Sequence, residues 1–230
     1  MAPLSTAGQQ RTPGYWRPRC AVCLLEPGAP LCAGCERDFF AADAPRCVRC
    51  AIRVNAAERM CGQCLAQPPP FDATATLADY AMPVAGMIAA MKFRARIDLA
   101  DCFARLLAAR ETSPTADLVL AVPLSFERES ARGFNQSLEI GRRYARLTGS
   151  RLAERSLLRV RDTPPQQSLA REQRRRNVAG AFAVAGDVHG LGIVVIDDVM
   201  TTGSTLAEIA ATLKRAGAAS VVNRVVARTP

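Results

Sequence analysis

Asp197 and Asp198 close the apolar run Ile193-Val194-Val195-Ile196, and the turn Thr201-Thr202-Gly203-Ser204-Thr205 follows shortly after them. Residues of these types, at this spacing, suit a ligand that is both phosphorylated and hydroxylated. A small hydroxyl-rich turn running into a helix presents backbone N–H groups that lack internal partners, and the helix dipole draws phosphate to that end. Gly203 allows close approach of the backbone, and the flanking hydroxyls donate to phosphate oxygens. Carboxylates beside such a cradle repel phosphate itself. Asp197 and Asp198 therefore face something else: sugar hydroxyls, a developing positive charge or a metal. A plainer reading has the acids solvating a strand end and Thr205-x-x-Glu208 forming an ordinary capping box. The acids and the loop together make a string too specific for that. No Gly-x-x-x-x-Gly-Lys-Ser/Thr motif exists, and Gly190-x-Gly192 precedes a strand, so it fails the context test for a dinucleotide fingerprint.

Four Cys-x-x-Cys pairs form a second chemical feature: Cys20/Cys23, Cys32/Cys35, Cys47/Cys50 and Cys61/Cys64. One pair suits a redox dithiol, whereas four in short succession suit metal. Each turn sets two thiolates ~3.5–4 Å apart on one edge of a tetrahedron, and Zn–S bonds of about 2.3 Å take two such turns per ion. Sequential pairing groups Cys20, Cys23, Cys32 and Cys35 in one site and Cys47, Cys50, Cys61 and Cys64 in another. Interleaved pairing, first with third and second with fourth, is the alternative. Four thiolates leave no open position, so the expected role of two Zn²⁺ ions is structural. So short a module has few large apolar groups, and metal must supply much of its folding energy. Cys102 falls in a helical pattern and reads as an apolar filler.

Three basic stretches complete the chemistry. Ser125 to Gln136, just after Pro123-Leu124, reads as a loop carrying Arg128, Arg132 and Gly133, suited to a second anion. Arg161 to Asn177 is the most basic stretch; it includes Gln166, Gln167, Arg171 and Arg176 and reads as a polar surface loop. Lys92, Arg94 and Arg96 cluster at a break in helical spacing and form either a solvated face or a ligand-facing one. His189 is the single histidine, which argues against histidine triads and histidine-ligated metals.

The elements that must position these residues follow from periodicity. Ile193 to Ile196 is an unbroken β-branched run, the pattern of a strand buried on both faces. A helix is expected from Thr205 to Ala216, with Leu206, Ile209, Ala210 and Leu213 on one face and Gly217 at its end. Further strands are expected at 73–80, Asp117 to Val122, Phe182 to Val184 and Val221 to Ala227. Helical spacing runs from Pro83 to Arg110, broken near Arg94, and again from Gln136 to Leu147. Strands alternating with helices predict a mainly parallel α/β sheet with right-handed crossovers.

The 230 residues suffice for one ordinary domain plus a small module, divided here as a disordered start at 1–18, a double zinc ribbon at 19–67 and an α/β domain at 71–230 behind Pro68-Pro69-Pro70. No apolar run reaches the ~18 residues of a membrane span, and Met1 to Trp16 has no apolar leader core. Nine cysteines without such a leader point to a reducing cytoplasm. The net charge is +9; eight thiolates and two dications would together remove four charges and leave +5. A basic chain suits polyanionic partners. Tyr15, Trp16, Phe39, Phe40, Phe71, Phe126 and Phe134 are the aromatics expected to be available for stacking bases.

The run from Ile193 to Thr205 resembles the phosphoribosyl-pyrophosphate (PRPP) signature of type I phosphoribosyltransferases. With the cysteine module, Arg132-Gly133-Phe134-Asn135-Gln136, Met91-Lys92-Phe93 and the stretch from Gln166 to Val178, the chain resembles the bacterial ComF family from Cys20 to its end. The resemblance implies a type I phosphoribosyltransferase fold behind a zinc ribbon. It implies that Thr201, Thr202, Gly203, Ser204 and Thr205 hold the 5′-phosphate, that Asp197 and Asp198 are the catalytic pair at the ribose, and that Pro123, Leu124, Ser125, Arg128 and Arg132 receive pyrophosphate. Gln166, Gln167, Arg171 and Arg176 would belong to a flexible lid, and Mg²⁺ would accompany PRPP. It also implies a part in natural competence, with single-stranded DNA and the uptake machinery as partners. A metabolic transferase with another acceptor and a non-catalytic PRPP sensor are the competing readings.

Overall fold

A computed structural model describes residues 19–25, 28–40, 44–111, 116–161 and 178–230. The start at 1–18, expected to be disordered, lies outside them, as do Gln166, Gln167, Arg171 and Arg176.

The central strand is β6 (Gly192–Met200), flanked by β7 (Ser220–Arg228) and β2 (Leu118–Ala121). With β1 (Ala73–Asp79) and β3 (Arg151–Leu152) they form a five-stranded sheet in the order β1-β7-β6-β2-β3, every pairing parallel. The β-branched run of β6 is buried on both faces, as its pattern requires. Val194 and Ile196 join a core with Leu99, Phe103, Ile140 and Tyr144, contributed by α4 (Asp98–Ala109) and α6 (Gln136–Thr148). Ile193 and Val195 point the other way, onto Leu206, Ile209 and Leu213 of α7 (Ser204–Arg215). Alternate residues of one strand thus face the helices on both sides of the sheet.

The break at Arg94 is real: α3 (Val84–Phe93) ends there and α4 begins at Asp98. The segment expected to be a loop after Pro123 instead contains α5 (Phe126–Arg132). Glu127 and Glu129 in its first turn and Arg132 in its last complement the helix dipole, and Gly133, at φ 75°, ends it in the left-handed region. Two strands had no expectation behind them, β3 and the antiparallel partner of β5 (Phe182–Val184), which is β4 (Leu157–Arg159). Both are too short to show a period.

The cysteine region contributes α1 (Ala33–Phe40) and α2 (Gly62–Ala66). It does not stand apart from the α/β core. Cys20, Cys32, Cys35, Leu31 and Phe40 share the hydrophobic cluster of α3, α4 and α6. Phe40 and Phe71, expected to be exposed, are 3% and 2% accessible and serve as core; Phe126 is 81% accessible. Cys102 is buried among apolar neighbours, and burial pushes its thiol up to about 12.

Candidate functional site

The carboxyl end of β6 delivers Asp197 and Asp198 side by side. Asp197 Oδ1 accepts from Ser137 Oγ at 3.1 Å and from the Asp198 N–H at 2.9 Å. Asp198 pairs with Lys92 of α3, Nζ to Oδ2 2.6 Å. Enclosure away from water, and then the negative charge of Asp198, push the Asp197 carboxyl up to about 7 against the opposing pull of the Asp198 N–H, Lys92 and Ser137. Two adjacent carboxyls at a strand end thus have one ammonium beside them, paired to Asp198, and the pair suits further positive charge.

The turn after β6 is shaped by Gly203. Its φ is +79°, and a Cβ placed there would fall 2.5 Å from Met200 Cε. The left-handed conformation favours glycine, whereas the methionine tip can swing aside. Gly203 is the N-cap of α7 and offers no side chain to the orphan N–H groups behind it. Thr202 Oγ1 and Ser204 Oγ lie 2.9 Å apart, and a small hollow is lined by Asp197, Thr201, Gly203, Ser204 and Thr205. The Thr205/Glu208 capping box does not form. Glu208 Oε1 accepts instead from the Gly180 N–H at 2.9 Å, just after the undescribed basic stretch.

On the neighbouring strand, β2, the chain leaves through Val122-Pro123-Leu124-Ser125 into α5. Asn135 fixes this region. Its Oδ1 caps α6 by accepting from the N–H groups of Ser137 at 2.9 Å and Leu138 at 3.2 Å, while Nδ2 donates to the Val122 carbonyl at 3.0 Å. Arg132 donates to Gln136 Oε1 at 3.1 Å and stacks over Phe93, 5.2 Å from the ring centre. Burial weakens its hold on the proton, opposed by Asp198 and reinforced by Arg128, so the three charges act on one another. The ends of β6 and β2 therefore bring together the twin acids, the hydroxyl turn and two arginines at the carboxyl edge of a parallel sheet, where ligands of such sheets bind. Ser137 was missed as a member of this site, and Lys92 was singled out only within a basic cluster that was either solvated or ligand-facing. Lys92 had a signal, the basic cluster at the helix break; Ser137 had none, because only the tertiary fold brings α6 to β6. His189 is exposed in its turn and takes no part.

A phosphoribosyl transferase domain family matches residues 119–230, the segment that carries both strand ends. The chain is 37% identical to the "DNA utilization protein YhgH" of Escherichia coli O6:H1 over 198 residues, covering 83% of this chain and 87% of that protein. It is 30% identical to "Competence protein F" of Haemophilus influenzae, covering 81% and 85%. This chain belongs to the ComF family. Among solved structures, a glutamine PRPP amidotransferase from B. subtilis in complex with ADP and GMP overlays at a TM-score of 0.40, with 23% identity over 55% of this chain and 25% of that one. The fold class rests on strand order and family, not on that overlay.

The ComF-family chain also gathers its cysteines in sequential pairs. The Sγ atoms of Cys20, Cys23, Cys32 and Cys35 lie within 4.8 Å of one another, and so do those of Cys47, Cys50, Cys61 and Cys64. The Cys23–Cys32 and Cys50–Cys61 Sγ separations are 3.8 and 3.7 Å, close to the edge of a tetrahedron around a thiolate-bound ion. Burial opposes ionisation of Cys20 and Cys47. Surrounding backbone N–H groups outweigh it, bringing them down to about 6 and about 7. Either cluster could hold a zinc ion. Among the described residues, no helix is long and apolar enough to cross a membrane.

Proposed function

We propose that this protein binds PRPP with Mg²⁺ at the carboxyl ends of β6 and β2, that two structural Zn²⁺ ions hold its cysteine clusters, and that the PRPP site serves the handling of imported single-stranded DNA in the cytoplasm. The observation that carries the reading is the convergence of Asp197, Asp198 and the turn Thr201–Thr205 with Arg128 and Arg132 on one sheet edge. The DNA role rests on the names of the relatives, and the basic charge suits it.

The turn receives the 5′-phosphate through N–H groups at the start of α7 and the hydroxyls of Thr201, Thr202, Ser204 and Thr205. Asp197 and Asp198 take the ribose hydroxyls. Pro123, Leu124 and Ser125 wall the pyrophosphate, with Arg128 and Arg132 as its cations. The acids, of which Asp198 pairs with Lys92, fit a hydrated dication equally well. Asp197 and Asp198 would hold Mg²⁺, which would supply charge neutralisation for the pyrophosphate. Were the protein also to transfer the sugar, breaking the C1′–O bond to pyrophosphate as a bond from C1′ to an acceptor forms, Asp197 and Asp198 would offset the positive charge that builds on the sugar. Gln166, Gln167, Arg171 and Arg176 are assigned to a lid that excludes water on closure.

Two measurements separate this reading from its rivals. Single-stranded oligonucleotide binding that weakens steeply with salt, without pyrophosphate release from PRPP in a screen of bases and amines, is the outcome expected of an uptake factor. Pyrophosphate release with one acceptor, and no oligonucleotide binding, would make the protein a metabolic transferase instead.

A further inference from the structure

The second cysteine cluster faces the phosphate turn across a cavity of about 150 Å³. Cys50, Cys61 and Cys64 line one wall, and Thr202, Gly203 and Ser204 line the other. Packed side chains therefore do not fill the space between the ribbon and the outer side of the turn. Arg228, at the end of β7 and only 6% accessible, spans the gap at one edge. Its Nε donates to the Cys50 carbonyl at 2.9 Å, and its Nη1 donates to the carbonyls of Met200, at 3.3 Å, and Thr201. Met200 and Thr201 are the residues from which the turn departs, and the Met200 side chain lies where a Gly203 side chain would be. One guanidinium thus joins a cysteine knuckle to the root of the phosphate turn.

We infer that Arg228 couples metal occupancy of the Cys47/Cys50/Cys61/Cys64 cluster to the order of the phosphate turn. A bound ion fixes the Cys47–Cys50 knuckle and hence the Cys50 carbonyl; Arg228, anchored there, holds the Met200 and Thr201 carbonyls. Without the ion the knuckle is released, and the turn loses the support that the cavity does not provide. The first cluster supplies an internal control. Cys20, Cys32 and Cys35 pack into the α3–α4 core, on the other side of the sheet from the cavity-facing turn. Arg228 is a positioning residue in this scheme, not a ligand-binding one.

The inference rests on the reading that the clusters hold zinc, and not on PRPP binding. Native mass spectrometry of the full chain counts the ions, and hydrogen exchange reads the turn in peptides spanning 199–206. Cys61→Ser, with one ion left, is expected to raise exchange of these peptides about tenfold or more, the scale of losing a charge-assisted bond. Cys23→Ser, also with one ion left, is expected to leave them unchanged. Arg228→Gln should keep both ions and yet exchange like Cys61→Ser. If the Cys61 variant loses protection of β6 and β7 as well, stepwise chelation of the wild-type protein makes the same comparison without a substitution. A protein with two ions whose turn ignores the second one, or an Arg228→Gln protein with a protected turn, would overturn the coupling and leave the zinc assignment standing. A wild-type protein with no bound ion would end both, and the mass alone would tell the two failures apart.

Discussion

At the scale of single residues the site stores electrostatic tension. Asp197 has a carboxyl near 7 in the folded protein, against about 3.9 for an aspartate in an unfolded chain. The folded protein therefore keeps this proton to higher pH than the unfolded one. The associated stability is full below about pH 4 and is lost as pH rises through 7. Asp197→Asn keeps an acceptor for Ser137 and the Asp198 N–H but has no charge to bury. Thermal unfolding should show it more stable than wild type at pH 8, on the order of 2–4 kcal/mol, with the gap closing toward pH 4. Gly203→Ala tests the turn: the left-handed φ should cost about 1–3 kcal/mol and, with Met200 pushed aside, weaken phosphate binding. The acids and the turn were legible in the sequence because they lie within a dozen residues of one another. Lys92 and Ser137, which complete the acids' surroundings, come from distant segments. No local pattern announces which of three clustered basic residues will turn inward; Arg96 spends its charge on neighbouring Asp98 instead.

At the scale of elements, two buried polar arrangements hold the site's frame. Asn135 ties the start of α6 to the end of β2, so Asn135→Ala removes a helix cap and leaves the Val122 carbonyl without its donor. The expected cost is about 1–2 kcal/mol by denaturant unfolding, with Ser137 drifting from Asp197. Arg224 of β7 lies 8% accessible against Glu111, at 2.6 and 2.9 Å, and Tyr144 also donates to that glutamate. Glu111→Ala strands the guanidinium in the core and should cost about 3–5 kcal/mol. The strands β6 and β7 and the helices α6 and α7 could be read from periodicity, because each buries a long, regular face. The short helix α5 could not, since it buries none of its residues and owes its turn to charge placement and to Gly133.

At the scale of the whole molecule, the cysteine region and the α/β sheet share one core. The sequence suggested a separate module because the short spacing of the knuckles is visible, whereas the packing of Cys20, Cys32 and Phe40 in one cluster with α4 is a long-range event. Asp79, at the end of β1, adds ion pairs to Arg46 at 2.8 Å and Arg53 at 2.5 Å from the cysteine region; these outweigh burial and hold its carboxyl below the usual range. If the clusters hold zinc as proposed, chelation should therefore lower the melting temperature of the whole protein in a single transition rather than melt the cysteine region first, which calorimetry would show as one shifted peak. The central claim is that the joined ends of β6 and β2 form a PRPP site. Isothermal titration of the full chain with PRPP and Mg²⁺ tests it most directly. Saturable binding at one site, lost in the Asp197→Ala plus Asp198→Ala protein, is the predicted result. No binding heat with the wild type, or unchanged binding after both acids are removed, would contradict it.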